Sequence, residues 1–233
     1  MGSDQGPLTR EASGAWWFTD WSSLHVRAGV TDRRTEAATL VAEAAPAAGI
    51  VEAEQVHGGS VALVEQLREP TLRIPGCDAL LTRMPEVALL IRTADCLPLY
   101  VCDPIRWAVG LAHAGWRGLV AGLPLRLIAF FQYAFHSQPA DLWVAIGPAI
   151  RACCYEVGPE FSARFGRFVR KQDNRYRCDL IGIAMEQLRQ GGIRSDHVID
   201  SGQCTACESQ SWYSLRREGQ AAGRLTSLIM LRP

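Results

Sequence analysis

The chain has 233 residues, 48% hydrophobic and 21% charged, with Lys+Arg 24, Asp+Glu 24 and a formal net charge of zero. That composition excludes a disordered, collagen-like or coiled-coil chain, and a neutral chain is a poor binder of DNA or of acidic membranes. No stretch reaches the roughly 20 uninterrupted apolar residues of a membrane span, and the N-terminal residues lack the apolar core of a signal peptide, so the expectation is a cytoplasmic protein with no membrane or nucleic-acid partner.

Residues 1–13 read as a flexible N-terminal tail and 14–233 as a single domain. Thr31 or Asp32 is a candidate cap for a helix over 33–45, stopped by Pro46 and Gly49. Segments 50–56, 60–65, 79–82, 87–93, 97–102 and 107–112 are rich in Val, Leu and Ile, punctuated by Gly, Pro and Asp, and read as strands. A helix begins near Gly122, with Pro124 in its first turn, where proline is tolerated. Residues 142–146 read as a buried strand, 159–169 and 179–190 as helices, and 212–216 and 224–231 as closing strands. Asp179 caps the second of those helices and Gly191-Gly192 stops it. Many strands, about four helices and no strict βαβ alternation indicate an α+β protein with a mixed β-sheet.

Ionisable groups cluster where apolar strands end, in Gln55-Val-His57-Gly58, Thr93-Ala-Asp95-Cys96-Leu-Pro98 and His113-Ala-Gly-Trp-Arg117-Gly118. Two imidazoles and a thiolate are ligand types that zinc prefers, and three protein ligands leave a fourth position open for water or substrate. The spacing matches no short zinc motif, and residue types alone favour the plainer reading of two hydrogen-bonded histidines and a core thiol. Gly115-Trp-Arg117-Gly118 ahead of a helix is a candidate anion site, with Arg216-Arg217 as a second cationic candidate. His25, His136 and His197 lie in unremarkable contexts.

Eight cysteines in a neutral chain without a leader suggest reduced thiols, each a small buried hydrophobe by default. Cys204-Thr-Ala-Cys207 is a CxxC, but a zinc ribbon needs a second pair at suitable spacing. The adjacent Cys153 and Cys154 do not fit that requirement, so the CxxC reads as coincidence.

The ordered set of these motifs, continued by Gly147-Pro-Ala-Ile150, Cys154-Tyr-Glu-Val-Gly158, Cys204-Thr205 and Tyr213-Ser-Leu-Arg-Arg217, resembles the YfiH-like family over roughly residues 50–231. Proteins of that family carry the labels multicopper polyphenol oxidase (laccase), peptidoglycan editing factor and purine nucleoside phosphorylase. The resemblance implies a layered α/β/β/α fold in one catalytic domain, with zinc on His57, Cys96 and His113, which would also be the catalytic residues. It implies a substrate and phosphate site drawn from Arg117, Arg217, Gln55 and Arg27. Relatives carry an Arg-x-Gly-Gly-Val-Ser stretch, an Asn-Leu-Gly loop and an Asn-Arg pair near the N-terminus. Here Arg27-Ala-Gly-Val30 and Thr31-Asp-Arg-Arg34 stand in their place.

The function so implied is a zinc-dependent purine nucleoside phosphorylase, converting adenosine, inosine, guanosine or methylthioadenosine and phosphate to base and ribose-1-phosphate, with adenosine deamination as a companion activity. Its partners are small molecules, and the chain is a monomer or small homo-oligomer. Asp95 is the nearest candidate proton carrier, or a structural turn residue. One alternative is a metal-independent hydrolase of a peptidoglycan precursor, with Cys96 as nucleophile and His113 or His57 as base. A second is a copper polyphenol oxidase, although five histidines are too few for a blue copper centre plus an oxygen-reducing cluster, and copper is better regarded as a substitute for zinc. A third is a metal-binding scaffold without turnover.

Overall fold

The computed structural model describes residues 7–44 and 49–232. Among them, two large sheets lie face to face. The first has seven strands in the order Leu8–Arg10, Trp16–Phe18, Val26–Val30, Leu225–Leu231, Val87–Thr93, Gly49–Ala53 and Thr71–Ile74. The second has six, in the order Val198–Asp200, Trp143–Ile146, Leu97–Asp103, Ala108–Ala114, Ala79–Thr82 and Val61–Val64. Both contain parallel and antiparallel pairs.

Alternation along the strands shows the layering. Leu80, Leu89, Tyr100, Cys102, Val109, Leu111 and Ile229 point into one core between the sheets. Their chain neighbours Leu81, Leu99, Val101 and Ala112 point the other way, against the helices Leu123–Phe135 and Leu180–Gln190. On the outer face of the first sheet, Ala88, Leu90, Leu228 and Met230 meet Leu40 of the helix Ala37–Ala44. Helix, sheet, sheet, helix is the α/β/β/α order. Strands buried on both faces read as continuous apolar runs, which is why 79–82 and 87–93 are legible from sequence. Tyr100 crosses the inter-sheet core to donate its hydroxyl to the Gly29 carbonyl (3.1 Å). Gly29 must be glycine, because a Cβ there would lie 2.4 Å from the Trp17 ring and 2.6 Å from the Trp16 carbonyl.

Several expected elements differ. Residues 1–6 of the expected tail lie outside the described residues, and the rest is not all loose, since Leu8–Arg10 pairs antiparallel with Trp16–Phe18. The helix expected from residue 33 begins at Ala37. Asp32 Oδ1 instead accepts from the Arg34 N–H (2.8 Å) and the Thr35 hydroxyl (2.8 Å), closing a turn first. Its expected stop, Pro46, lies outside the described residues. Residues 212–216 are not a strand. Trp212 buries its indole and Ser214 caps a short helix, Leu215–Glu218, accepting from the Arg217 N–H. The helix expected over 159–169 ends at Phe165, and the chain turns into the hairpin Val169–Gln172 and Arg175–Cys178, which pairs with Glu156–Val157. Asp179 caps its helix as expected, accepting from the Gly182 N–H at 3.0 Å. Among the described residues no helix is long and apolar enough to cross a membrane.

Candidate functional site

The pairing registers bring one set of strand ends to the same edge of the sandwich. Ala114 pairs with Leu97, Ala79 with Ala112, Val61 with Ala79, and Thr93 with Leu225. The loops carrying His57 and Cys96 and the strand end carrying His113 therefore converge. One ligand atom from each lies within 4.8 Å of the others, and the two imidazole rings meet edge to face at 4.7 Å. His57 is exposed, Cys96 half-buried and His113 buried, so the group runs from the surface inward.

Asp78, which the sequence reading passed over, ties the two histidines together. It is fully buried at the start of the strand Ala79–Thr82. Its Oδ1 accepts from the His57 N–H (2.9 Å) and faces His113 Nδ1 (2.9 Å), while Oδ2 accepts from the Gly58 N–H (2.6 Å). The backbone closes the same junction, since the His113 N–H donates to the Asp78 carbonyl at 2.8 Å. A carboxylate on one imidazole nitrogen fixes the tautomer and frees the other nitrogen, which is the usual outer partner of a metal-ligating histidine. The signal available in the sequence was an acid placed directly before the apolar run Ala79-Leu-Leu81.

The electrostatics follow from this packing. Burial pushes the Asp78 carboxyl up, but the hydrogen bonds from His113 and Gly58 outweigh it and hold it below the usual carboxylate range. Burial disfavours charged His113, but Asp78 and Cys96 raise it to about 9. Burial raises the Cys96 thiol, and His113 and His57 together bring it down to about 7. Gly115 leaves the room: a Cβ there would sit 3.0 Å from Cys96 Sγ and 3.5 Å from the His57 ring.

A cleft of ≈ 620 Å³ lies beside the triad, lined by Trp116, Tyr155, Glu156, Val157, Gly158, Phe161 and Arg216. Trp116 follows Gly115 directly, and Cys96 lies close enough to Tyr155 that its charge, after burial, helps push that phenol up to about 12. Arg216 lies over the Tyr155 ring at 5.0 Å, and Arg117 and Arg164 lie over Trp116 at 4.7 and 5.6 Å.

The other expected binding residues divide. Arg117 is exposed on the five-residue helix Trp116–Val120, close to the cleft. Arg217 is not free to bind an anion, because it donates to the carbonyls of Thr205 (2.6 Å), Ala206 (2.9 Å) and Trp212 (2.7 Å) and pairs with Glu218. Its neighbour Arg216 lines the cleft instead, with one guanidinium nitrogen donating to the Glu156 carbonyl (2.6 Å). Gln55 spends both ends of its amide on the Arg92 backbone, donating to its carbonyl (2.6 Å) and accepting from its N–H (2.7 Å). It braces the His57 loop. Arg27 does not reach the triad. It pairs in register with Met230 while Thr93 pairs with Leu225, five residues or about 17 Å along the same strand. Its guanidinium lies over Trp17 and pairs with Glu11. Asp95 is likewise committed, accepting from the Thr205 hydroxyl (2.6 Å) and the Arg216 N–H (2.7 Å), which makes it a structural turn residue.

A second cluster overturns the reading of the CxxC as coincidence. Cys153, Cys154, Cys204 and Cys207 bring their four Sγ atoms within 4.8 Å of one another. Burial and the neighbouring thiols Cys207 and Cys204 push Cys153 up to about 11, and burial with Cys207 and Cys153 pushes Cys154 higher still. Burial raises Cys204 too, but backbone N–H groups of Cys207 and Arg151 pull it below the usual thiol range.

The family model described as "Multi-copper polyphenol oxidoreductase laccase" matches residues 13–232. A Geobacillus stearothermophilus protein named purine nucleoside phosphorylase YlmD is 32% identical over 229 residues, covering 90% of this chain and 84% of that protein. The Escherichia coli K12 protein named purine nucleoside phosphorylase YfiH is 31% identical over 186 residues, covering 76% and 72%. The crystal structure of YlmD from Geobacillus stearothermophilus superimposes with a TM-score of 0.87 at 29% identity, covering 98% of this chain and 100% of that one. With a family match that spans nearly the whole chain, and relatives that share both sequence and fold, the chain belongs to the family of YfiH and YlmD.

Proposed function

We propose that this chain is a zinc-dependent purine nucleoside phosphorylase, splitting adenosine, inosine, guanosine or methylthioadenosine with phosphate into base and ribose-1-phosphate. The observation that carries this reading is the convergence of His57, Cys96 and His113, with Asp78 behind the two histidines, beside a cleft walled by aromatic rings and arginines. The names of the relatives support it. Two imidazoles and a thiolate within 4.8 Å, with a buried carboxylate behind one imidazole, fit zinc by donor type and by outer support. When bound, zinc supplies a Lewis acid with an open fourth position.

The chain's own residues do the rest. Ionised Asp78 holds the His113 Nδ1 proton and turns Nε2 toward the thiolate. Trp116, Tyr155 and Phe161 offer apolar aromatic surface against which a purine stacks. Phosphorolysis also needs an anion held beside the sugar, and Arg216 and Arg117 bring positive charge to the same cleft. Adenosine deamination belongs to the same reading, as a second use of the purine pocket.

A second reading has its own support. A Cys96 thiol at about 7 beside a His113 at about 9 is a thiolate–imidazolium pair at neutral pH, which suits nucleophilic hydrolysis without metal. One experiment separates the two. Purified protein is incubated with adenosine, inosine and methylthioadenosine, with and without phosphate and with and without a zinc chelator. The phosphorylase reading expects free base only with phosphate, lost on chelation, and inosine from adenosine where deamination accompanies it. Turnover of any substrate that survives full chelation overturns the zinc reading.

A further inference from the structure

We propose that Cys153, Cys154, Cys204 and Cys207 form a second metal site, a closed four-thiolate site for one structural zinc ion, separate from the triad. The four Sγ atoms come from two turns that face each other, residues 151–155 and 204–207. A parallel bridge between Ala149 and Cys204 holds the turns together, with the Thr205 N–H donating to the Ala149 carbonyl at 3.1 Å.

The separations fit zinc better than disulfides. Cys153 Sγ lies 3.6 Å from Cys204 Sγ and 3.5 Å from Cys207 Sγ, and Cys154 Sγ lies 3.3 Å from Cys207 Sγ. A disulfide needs about 2.05 Å. A tetrahedron of thiolates at the zinc–sulfur distance of about 2.3 Å has edges of about 3.8 Å. A shell of four sulfurs selects zinc over the oxygen-seeking cations. Four ligands close the tetrahedron, so this site has no position left for substrate. Cys153 and Cys207 are exposed, which gives an ion entry from solvent. Binding replaces four S–H bonds with four sulfur–zinc bonds and releases the protons to solvent.

The two turns also share an anchor. The Ile150 N–H donates to the Asp95 carbonyl (2.9 Å) and Thr205 donates to the Asp95 carboxylate, so both sides of the clip tie to the residue before Cys96. Tyr155, on the first turn, lines the cleft. A metal clip here would hold the cleft wall in register with the triad.

The test uses the full chain, purified and kept reduced, with zinc as the probe. Metal analysis of the unsubstituted protein should give two zinc ions per chain. Cys96→Ala should retain one, and Cys96→Ala combined with Cys153→Ser and Cys207→Ser should retain none. Cobalt added to metal-free Cys96→Ala should give intense thiolate-to-cobalt charge-transfer bands and tetrahedral d–d bands. Chelation of the zinc-loaded Cys96→Ala protein should expose four extra thiols to a thiol reagent. Both serine positions are at the surface, and the cobalt measurement is made on protein that keeps all four cysteines. A Cys96→Ala protein that holds no zinc and gives no charge-transfer band overturns the proposal. So does a disulfide among these four cysteines in the reduced protein.

Discussion

Two clusters of soft ligands sit on either side of Asp95, and they are built differently. The triad of His57, Cys96 and His113 mixes nitrogen and sulfur, has three donors, and is organised by a buried carboxylate next to a cleft. The four-cysteine cluster is all sulfur, has four donors, and is held by two backbone turns. With zinc in both, as proposed, the contrast follows the rule that catalytic metal sites keep a coordination position open while structural sites fill it. It also shows that support for a site comes in two forms. In the triad a side chain, Asp78, orients the ligands. In the cysteine cluster backbone pairing does so, and the carboxylates nearby, Asp95 and Glu208, hold the turns rather than the ligand atoms.

The comparison can be broken most sharply at Cys96. Cys96→Ala should abolish phosphorolysis and remove one metal equivalent, whereas loss of Cys207 should leave the triad's metal in place, as metal analysis beside product assay would show. Stoichiometric metal on the triad of Cys96→Ala would show that the ligands are assigned wrongly.

The next effect concerns how the triad is supported. Asp78→Asn has one acceptor oxygen in place of two, so it leaves one of the His57 and Gly58 N–H groups facing an amide NH2 and deprives His113 of its buried ionic partner. Loss of an outer carboxylate costs roughly 10–100-fold in metal affinity, and breaking a buried pair costs about 3–5 kcal/mol. Chelator competition and thermal unfolding measure the two separately. An Asn variant with unchanged affinity would place the organising role elsewhere.

Arg216 and Arg217 give a smaller and more diagnostic contrast. Arg216→Ala should raise the KM for phosphate about tenfold, the loss of roughly one charge-assisted hydrogen bond, with little change in melting temperature. Arg217→Ala should instead destabilise the fold by about 2–3 kcal/mol, because it leaves the carbonyls of Thr205, Ala206 and Trp212 without their donor. The reverse pattern would return the anion site to Arg217.

The smallest effect is a pH dependence of the metal-free protein. Cys96 is depressed to about 7 from its ordinary 9, so its contribution to stability is complete above 9 and lost as pH falls through about 7. His113 is raised to about 9 from 6.5, so its contribution is complete below 6.5 and lost as pH rises through about 9. Between those limits the pair is thiolate and imidazolium. The rate of Cys96 alkylation should therefore rise with a midpoint near pH 7. A midpoint near 9 would mean the histidines do not hold the thiolate.

What the sequence determined by itself was the part of the protein whose physics is local or repeated along the chain. The doubly buried strands Ala79–Thr82, Val87–Thr93 and Leu97–Asp103 announce themselves as unbroken apolar runs. The Asp179 cap and Pro124 in the first turn of Leu123–Phe135 are read from single positions. The triad could be nominated because its three segments end strands and match a family pattern. Residue types alone had favoured the plainer reading.

The hairpin Val169–Gln172 and Arg175–Cys178 was missed because its strands are short and mostly charged, with only Arg175-Tyr-Arg-Cys178 alternating. The strand expected over 212–216 failed because Trp212 and Tyr213 look like strand residues but pack, buried and half-buried, in an irregular segment that leads into a helix. Spacing rules were the wrong instrument for the four cysteines. Residues 154 and 204 are far apart in the chain, and the pairing of Ala149 with Cys204, with Asp95 as a shared anchor, brings their turns together. Asp78 was invisible for a related reason. A lone acid before an apolar strand has no meaning until the sheet register places His57, Gly58 and His113 around it, and a carboxylate buried so completely needs those donors as its partners.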